Sequence, residues 1–355
     1  DLHPRVRRQR QMCIRDRNGQ HTDLFTLSNK QGMEVCITNY GARVVSILVP
    51  DRNGKREDVV CGFSTITEYM EQRQNFGSTV GRYIGRILNA RFTLDGVEYK
   101  LVPNNGKSGH ISHGGNPGFA DRIWKVEQAD THRVRLSYLS PDGENGFPGN
   151  LKVTLVYSLG EDDNALDLTY EATTDAPTVL NLSHHSFFNI SGNFTKSVED
   201  QQLWVDADRF TPYDDKKCVT GEYLPVAGTP LDFRMPHTIG ECIDADHPQL
   251  KVVNGYDHTW ELNTKGDDTR PAAWVYDPAS GRKMEIFTTE PGMQIYTGNG
   301  LKGKMTGKGG IAYPFRSAVC FETMHFQDSP NQPGFPSTVL RPGEVFRSHT
   351  VYKFE

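Results

Sequence analysis

The sequence predicts an all-β protein: one large, single-domain antiparallel β-sandwich with few, short helices. Apolar and polar residues alternate at the two-residue period of a half-buried strand in many segments from residue 18 onward. The 34 glycines and 20 prolines among 355 residues supply many turns. The sequence has neither the strand–helix alternation of a parallel sheet nor a repeat of 20–50 residues, so long loops are expected to connect antiparallel strands.

The predicted strands follow one another along the chain. ARVVSILVP is a nearly continuous apolar strand that ends at the turn sequence DRNG. RFTLDGVEYKL contains two alternating segments joined by Asp95-Gly96, which is the strongest short-range signal for a hairpin. HRVRLSYL, LKVTLVYSL and ALDLTYEA alternate in the same way, and the pattern recurs to the final SHTVYKFE. Only TITEYMEQR and HTIGECI predict helices, each of one or two turns.

Residues 1–17 differ from the rest of the chain. They are rich in arginine, and they lack both apolar periodicity and the apolar central segment of a signal peptide. We interpret them as a disordered tail or as a cloning or sequencing scar, with a nucleic-acid-binding arm as the alternative. Residues 18–355 are expected to form the folded domain. We expect a cytoplasmic protein, or a periplasmic one if an export leader has been lost from this end.

The composition argues against several classes of protein. A net charge of -5 gives neither a basic footprint for nucleic acid nor a polybasic patch for a membrane surface. No apolar run approaches the roughly 20 residues of a membrane span. The six cysteines are scattered and form no C-x-x-C pair, so we expect reduced thiols and neither a zinc knuckle nor a redox motif. We therefore expect no nucleic-acid or membrane partner. We expect a monomer or weak homodimer, although the composition does not bear on this.

The stretch TVLNLSHHSFFNI places two histidines side by side among strand-forming residues. Neighbouring side chains of a strand point to opposite faces, so His184 and His185 are expected to face in opposite directions, one inward and one outward. The structural alternative is a hydrogen-bonded core imidazole beside a solvent-facing one.

Four further residues could carry chemistry. His113 precedes two glycines in SGHISHGGNPGF, where the backbone can turn closely beside a ligand. Asp257 follows an Asn-Gly turn in VVNGYDHTW, and Glu290 precedes a Pro-Gly turn; the structural alternative for each is a turn residue. Glu322 lies within the apolar stretch AVCFETMHF, where an unpaired carboxylate is costly. Glu322 should therefore pair with a cation or have a raised pKa.

These residue types favour metal-free acid–base chemistry. No G-x-S-x-G elbow accompanies Ser183 or Ser186, so serine hydrolysis is poorly supported. A metal site from His113, His185 and a carboxylate is the alternative, but no short-range ligand spacing such as H-x-x-x-H supports it. A histidine and a glutamate acting on a polar neutral ligand remain. The aromatic residues that would suit stacking on a sugar ring are Tyr256, Trp260, Phe187 and Phe188.

Five segments together resemble the aldose 1-epimerase family, also called galactose mutarotases. They are NLSHHSFFNI, NGYDHTW, TTEPGMQIYTGN, FETMHFQDSPNQPGFPSTVLRPGE and SPDGENGFPG. The resemblance runs in order from about residue 24 to residue 354. It implies an antiparallel β-sandwich with an open sugar-binding cleft. It also implies an isomerase that interconverts the α and β anomers of free aldohexoses, such as glucose and galactose, without metal or cofactor.

The resemblance also implies a role for individual residues. His185 matches the histidine that protonates the ring oxygen, with a pKa expected near its ordinary value. Glu322 matches the base that takes the anomeric hydroxyl proton, with a pKa expected to be raised toward neutrality. His113 corresponds to a histidine that assists at the ring oxygen or orients the sugar. Asp257 and Arg86 correspond to residues that bind sugar hydroxyls.

Three positions differ from the family pattern or match it weakly. Gly85 stands where the family usually has Asn before the sugar-binding arginine, which puts one substrate hydrogen bond at this position in question. His184 stands where a relative often has Asn, which fits a non-catalytic ring facing outward or lying at the rim of the cleft. Glu290 occupies a position where Gln or Glu can contact the sugar.

Three other functions are compatible with parts of the pattern. A catalytically silent sugar-binding module would keep Asp257 but would not need both His185 and Glu322. A glycoside hydrolase or lyase could use Asp257 and Glu322 as a carboxylate pair. A hexose-6-phosphate epimerase would need additional cations for the phosphate, and only Arg82 and Arg86 lie near a motif.

Overall fold

Two large antiparallel sheets dominate this computed structural model, which describes residues 21–355. Within those residues the larger sheet has nine strands. In spatial order they are Lys125–Ala129, Arg133–Ser140, Leu151–Leu159, Ala165–Thr174, Phe346–Phe354, Lys283–Thr288, Ala273–Tyr276, Gln202–Val205 and His237–Thr238. The second has six described strands, which in order are Phe187–Phe188, Val319–Met324, Gly292–Tyr296, Asp257–Glu261, Arg209–Thr211 and Leu224–Pro225.

The two sheets pack face to face through alternating apolar residues. Along Leu151–Leu159 every second side chain is buried, as the sequence predicts. The ring of Tyr352 on the large sheet lies 5.1 Å from that of Phe188 on the smaller one. Each fully buried large apolar side chain contributes about 1.5–3 kcal/mol relative to an exposed one. The predicted antiparallel sandwich is therefore confirmed, with its core between the two sheets.

The remaining strands of the described residues form smaller sheets. A four-stranded sheet consists of Leu24–Ser28, Glu34–Thr38, Arg43–Pro50 and Arg56–Asp58. The two-stranded pairs are Ser78–Val80 with Ser183–His185, Arg86–Ile87 with Ile111–Ser112, Arg91–Leu94 with Val97–Lys100, and Thr178–Val179 with Val339–Leu340. The third pair is the hairpin predicted at Asp95-Gly96, where both turn residues have positive φ.

Helices are short and few, as predicted. The described part of the chain has two α-helices, Ile66–Gln72 and Pro248–Val253. The first begins at a capping box in which Thr65 and Glu68 bond to each other's backbone N–H groups. The 3₁₀ helices are Leu88–Ala90, Gly106–Ser108, Phe119–Asp121, Glu144–Gly146, Lys308–Gly310 and Ser329–Asn331.

One helix prediction is wrong and one helix was missed. The stretch HTIGECI begins with the short edge strand His237–Thr238 and continues as turns. The missed helix is Pro248–Val253. Its apolar pattern is too short to indicate a helix, but the residues at its two ends are typical of helix termini. Pro248 occupies the first helical turn, and Asn254 ends the helix in the left-handed conformation.

The segment interpreted as a tail or scar, residues 1–17, lies outside the described residues, as do residues 18–20. None of the five cysteines in the described range forms a disulfide. No helix between residues 21 and 355 is both long enough and apolar enough to cross a membrane.

Candidate active site

The strand Val319–Met324 places its side chains by simple alternation. The Phe321 side chain belongs to the apolar core between the two sheets, and Thr323 Oγ1 lies 2.7 Å from Thr350 Oγ1 on the large sheet. Residues 320, 322 and 324 must therefore point to the opposite face. That face is the floor of an open cleft.

Glu322 lies on this floor and is almost completely buried. It is the cross-strand neighbour of Gln294, which donates to Asp257 Oδ1 at 2.7 Å. Burial raises the pKa of Glu322 well above its ordinary value, and the negative charge of Asp257 raises it further. The sequence predicted a raised pKa for Glu322, and the structure agrees in direction.

His185 reaches the same floor from the short strand Ser183–His185. Its ring stacks on Phe187, with centroids 5.1 Å apart and planes 18° apart. Nδ1 lies 3.7 Å from Cys320 Sγ, and Nε2 lies 3.3 Å from Glu322 Oε1. The structure thus brings the predicted acid and the predicted base into direct contact.

The pKa of His185 differs from the sequence expectation. Burial lowers it well below its ordinary value, and the neighbouring His113 lowers it further. Burial disfavours the charged forms of both His185 and Glu322, so an imidazolium at position 185 depends on the Glu322 carboxylate for stabilisation. The two groups form one coupled unit, and their titration belongs to the pair.

His184 does lie on the opposite face from His185, but it is neither outward-facing nor at the rim. It is buried in the core, where its Nε2 lies 2.6 Å from Ser186 Oγ and its Nδ1 lies 3.4 Å from Tyr157 Oη. Burial and the charge of Arg43 lower the pKa of His184 to about 3. The expected outward role was wrong because a second sheet covers the other face of this strand. His184 is a neutral core residue.

His113 projects into the cleft beside His185, with ring centroids 5.4 Å apart. Its backbone is left-handed, with φ at 51°, and its N–H donates to the Gly85 carbonyl at 2.9 Å. The Gly85 N–H in turn points to His113 Nδ1 at 3.4 Å. Burial and the charge of Arg86 lower the pKa of His113 to about 4, so its ring is neutral at neutral pH.

The cleft has a volume of about 250 Å³, slightly below the roughly 300–1,000 Å³ of pockets for drug-sized ligands. It therefore suits a small molecule. Six of the seven site residues predicted from the sequence line it: Gly85, Arg86, His113, His185, Asp257 and Glu322. They come from five separate segments of the chain, and only the fold brings them together.

Glu290 is the predicted site residue that the fold does not bring to the cleft lining. It is buried elsewhere, with its Oε2 2.7 Å from His325 Nδ1. Burial lowers the pKa of His325, but the contact with Glu290 raises it by more, so the pKa of His325 lies above its ordinary value. Glu290 is therefore a structural partner of His325, which corrects the predicted contact with the sugar.

The predicted stacking aromatics also need correction. Phe187 lines the cleft, but Tyr256, Trp260 and Phe188 are fully buried in the core. The Tyr256 hydroxyl donates to the Pro230 carbonyl at 2.8 Å, and the Trp260 indole donates to the Leu231 carbonyl at 3.1 Å. Their partners are thus backbone groups of a loop.

Several polar residues that line the cleft are not predicted from the sequence. They are Gln74, Asn75, Ser112, Gln294, Tyr296 and Gln327. Gln294 carried a usable signal, because in the alternating strand Gly292–Tyr296 its neighbours Met293 and Ile295 are apolar and face the core. Tyr296 shares this alternation, whereas Gln74, Asn75, Ser112 and Gln327 carry no pattern that separates them from solvated residues.

Three side chains near the cleft floor are of residue types that bind metal ions. Ligand atoms of His185, Cys320 and Glu322 lie within 4.8 Å of one another. Burial raises the pKa of the Cys320 thiol well above its ordinary value, which opposes the thiolate that a metal needs. The His185 nitrogen nearest Glu322 is already engaged with that carboxylate. This donor set fits a proton-sharing pair better than a metal centre.

Comparison with known proteins gives a consistent family. The family profile described as "Aldose 1-epimerase" matches residues 23–353. The chain is 39% identical over 330 residues to the pig (Sus scrofa) galactose mutarotase, covering 93% of each chain. It is 36% identical over 339 residues to the aldose 1-epimerase of Escherichia coli K12, covering 95% of this chain and 96% of that one.

Solved structures share the fold over nearly the whole chain. A structure of an aldose epimerase homologue from C. elegans superposes with a TM-score of 0.86 at 31% identity, covering 94% of this chain and 99% of that one. A galactose 1-epimerase from Lactobacillus acidophilus superposes with a TM-score of 0.83 at 28% identity, covering 96% and 97%.

Proposed function

The chain belongs to the aldose 1-epimerase family, and from this premise we propose how its cleft acts on a free aldohexose. It is an isomerase that interconverts the α and β anomers of aldoses. The proposal concerns the residues that move the protons and those that hold the sugar. The observation that carries it is the 3.3 Å contact between His185 Nε2 and Glu322 Oε1, both buried on the floor of the cleft.

Anomer exchange requires two proton transfers at neighbouring oxygens. The anomeric hydroxyl loses its proton while the ring oxygen gains one, so the bond from C1 to the ring oxygen breaks and an aldehyde forms. Rotation about C1–C2 presents the other face of the aldehyde, and the reverse transfers close the ring. Because both oxygens are bonded to the same carbon, their acid and base must lie close together. The contact between His185 and Glu322 supports this geometry.

The pair needs to carry only one proton. In the proposed cycle Glu322 takes the proton of the anomeric hydroxyl, while the His185 imidazolium donates one to the ring oxygen. The open-chain state then faces a neutral imidazole and a protonated carboxyl. Burial favours these uncharged forms, as the lowered pKa of His185 and the raised pKa of Glu322 indicate. Each positioned group contributes about 10²–10⁴-fold to the rate.

Three further residues are proposed to hold the sugar. Asp257 Oδ1 accepts from the Gln294 amide at 2.7 Å, and burial raises the pKa of Asp257 while the nearby Arg86 charge partly offsets that rise. A carboxylate and a guanidinium held in this way can accept from and donate to sugar hydroxyls. The neutral His113 ring can hydrogen-bond to the ring oxygen or orient the sugar beside His185.

The polarity of the cleft favours a free aldohexose over a hexose phosphate. Among the described residues that line it, Arg86 is the one cation, and its side chain is close to Asp257. Arg82, the second arginine of the same motif, is buried and donates to the carbonyls of Pro148 and Gly149 at 2.7 and 3.0 Å. A phosphate would lack the cluster of donors that it requires.

We also infer that the protein acts in the cytoplasm as a monomer or weak homodimer, without nucleic-acid or membrane partners. The absence of disulfides among the five described cysteines supports a reducing compartment. Subcellular fractionation and light scattering test these inferences.

Polarimetry tests the proposed function. Freshly dissolved α-D-glucose and α-D-galactose should reach their equilibrium rotation faster in proportion to enzyme concentration, with no change in total sugar. A glycoside offered in the same assay should remain intact. Failure to accelerate either sugar would contradict the proposal, and cleavage of the glycoside would favour the hydrolase alternative.

A further inference from the structure

Gly85 and Gln327 occupy one space in the cleft wall. Gly85 has a φ of 76°, a conformation that side chains rarely adopt. A Cβ atom at this position would lie 2.5 Å from Cγ of Gln327 and 3.1 Å from its Cδ. The Gln327 side chain therefore fills the volume that a side chain at position 85 would take.

The Gln327 side chain is held at three points. Its Nε2 donates to the Tyr213 hydroxyl at 2.7 Å and, at a longer 3.3 Å, to Gln294 Oε1. Its Oε1 accepts from the Arg86 backbone N–H at 3.3 Å. Only the first of these distances is close to that of a strong hydrogen bond. The amide is thus oriented by Tyr213 and is weakly engaged elsewhere.

This amide retains capacity for a ligand. A side-chain amide has two donor hydrogens and an oxygen with two lone pairs. Within residues 21–355, the oxygen of Gln327 has one partner, the long contact from Arg86. Gln327 is also 4% exposed and lines the cleft. An amide oxygen with an unused lone pair, on a side chain that lines the cleft, suits a hydroxyl donor.

Gln327 is connected to the residues proposed to hold the sugar. It contacts the Arg86 backbone directly. It reaches Asp257 through Gln294, whose Nε2 donates to Asp257 Oδ1 at 2.7 Å. A ligand hydroxyl bound by Gln327 would therefore lie on the same side of the cleft as hydroxyls bound by Arg86 or Asp257.

We propose that Gln327 binds a substrate hydroxyl through its side-chain amide, in the space left open by Gly85, and so helps to determine which sugars the cleft accepts. The inference rests on the proposed function, because it concerns the sugar that His185 and Glu322 process. Sites that hydrogen-bond a hydroxyl reject analogues that lack it, since a buried polar group is then left unpaired.

The test combines one variant with a series of deoxy sugars. Gln327→Ala should lower kcat/KM for D-glucose by about 3- to 10-fold, the range of one neutral hydrogen bond, with most of the change in KM. With the monodeoxyglucose that lacks the contacted hydroxyl, the same substitution should cause no further loss. A loss that is equal for the 2-, 3-, 4- and 6-deoxy sugars, or no loss with glucose, would overturn the proposal.

Gln332→Ala is the matched control. Gln332 belongs to the same loop and bonds Asp328 Oδ2 at 2.9 Å, but it does not line the cleft. This variant should leave the ratio of kcat/KM values among the deoxy sugars unchanged. A changed ratio would mean that disturbance of the loop, rather than the Gln327 amide, sets the preference.

A double-mutant cycle tests the shared space. Gly85→Ala should displace the Gln327 side chain and therefore lower kcat/KM by at least as much as Gln327→Ala. Ala is chosen because it adds only the Cβ atom that meets Gln327, whereas Asn would restore the polar side chain that the family usually has at this position. The double variant should be no worse than Gly85→Ala alone, because the displaced group is already absent. Strictly additive losses would show that the two positions do not compete for one space.

These results separate the inference from the proposed function. If wild-type enzyme fails to accelerate mutarotation of any aldohexose, the function itself is wrong. If wild-type enzyme is active and Gln327→Ala matches it with every sugar, only the role of Gln327 is wrong.

Discussion

His185 Nε2 lies 3.3 Å from Glu322 Oε1, and the two side chains meet on the floor of the cleft from two different strands. Both are buried, so neither ion is stable there without the other. One shared proton satisfies the pair. This makes the two residues a single coupled unit, which we propose exchanges protons with two adjacent oxygens of a sugar.

Substitution of the two neighbouring histidines should separate catalysis from stability. His185→Asn should lower kcat by about 10²-fold or more, the scale of a lost general acid. His184→Asn should leave kcat of the folded enzyme within a few-fold of wild type. It should lower the free energy of unfolding by about 1–3 kcal/mol, because buried partners of His184 lose a hydrogen bond.

Polarimetric kcat and urea unfolding, measured on the same preparations, provide the check. Equal losses of kcat in the two variants, or the larger loss at His184, would mean that the faces of this strand have been assigned wrongly. His113 would then be the next candidate for the acid.

The sequence predicts the sandwich well because alternation directly reports which residues of a strand are buried. It predicts the opposite facing of His184 and His185 for the same reason. It does not show what covers the second face of a strand, so the burial of His184 against the large sheet could not be read from local pattern. The burial of His184 depends on its contact with Tyr157, a residue that is distant from it in the sequence.

The site was predicted unevenly. Distinctive local sequence around His113, Asp257 and Glu322 indicates that these residues are candidates for the site. The sugar contact expected of Glu290 comes from the family resemblance and not from its segment, which suggests a turn residue, and in the structure its side chain pairs with His325. Gln327 was missed because an amide in a loop has no periodicity, and its position beside Gly85 exists only in three dimensions.

Asp257→Asn should shift the pH dependence of kcat to lower pH. The negative charge of Asp257 raises the pKa of Glu322, so this charge makes the shared proton harder to remove. Without it the pair should lose its proton at a lower pH, and the alkaline limb of the profile should move in the acidic direction.

The matched control for this shift is Asp215→Asn, an exposed carboxylate outside the cleft lining, which should leave the limb in place. An alkaline limb that stays in place or moves to higher pH in Asp257→Asn would show that Asp257 does not act on the pair.

His349 should make stability depend on pH in the alkaline range. Its Nε2 lies 2.6 Å from a carboxylate oxygen of Asp167 on the neighbouring strand of the large sheet, and its Nδ1 lies 2.6 Å from one of Asp268 in a turn. The hydrogen bond to Asp167 is the largest cause raising the pKa of His349 from 6.5 to about 9. A raised folded-state pKa stabilises the folded state fully below about pH 6.5, and this contribution is lost as pH rises through about 9.

Urea unfolding at pH 6 and at pH 10 measures this contribution. The loss of stability between the two values should be about 1–3 kcal/mol smaller in His349→Gln than in wild type, since the site is partly exposed. The same loss in both proteins would show that the imidazolium does not contribute.

Exhaustive chelation should leave mutarotation unchanged. The expectation rests on the protonated thiol of Cys320 and on the engagement of His185 with Glu322, which disfavour a metal at the donor set of the cleft floor. Polarimetric rates before and after dialysis against EDTA provide the measurement. Activity that is lost on dialysis and restored by one divalent ion would require a metal in the mechanism.

The most direct measurement is the mutarotation rate of Glu322→Gln, set beside its sugar affinity from equilibrium binding. The amide keeps the size of the side chain and its place opposite Gln294, but it cannot take the proton of the anomeric hydroxyl. The variant should bind galactose and glucose with affinities close to those of wild type and lose about 10²-fold or more of kcat. A turnover within a factor of about two of wild type would contradict the account, because a general base that can be removed at so little cost is not the base.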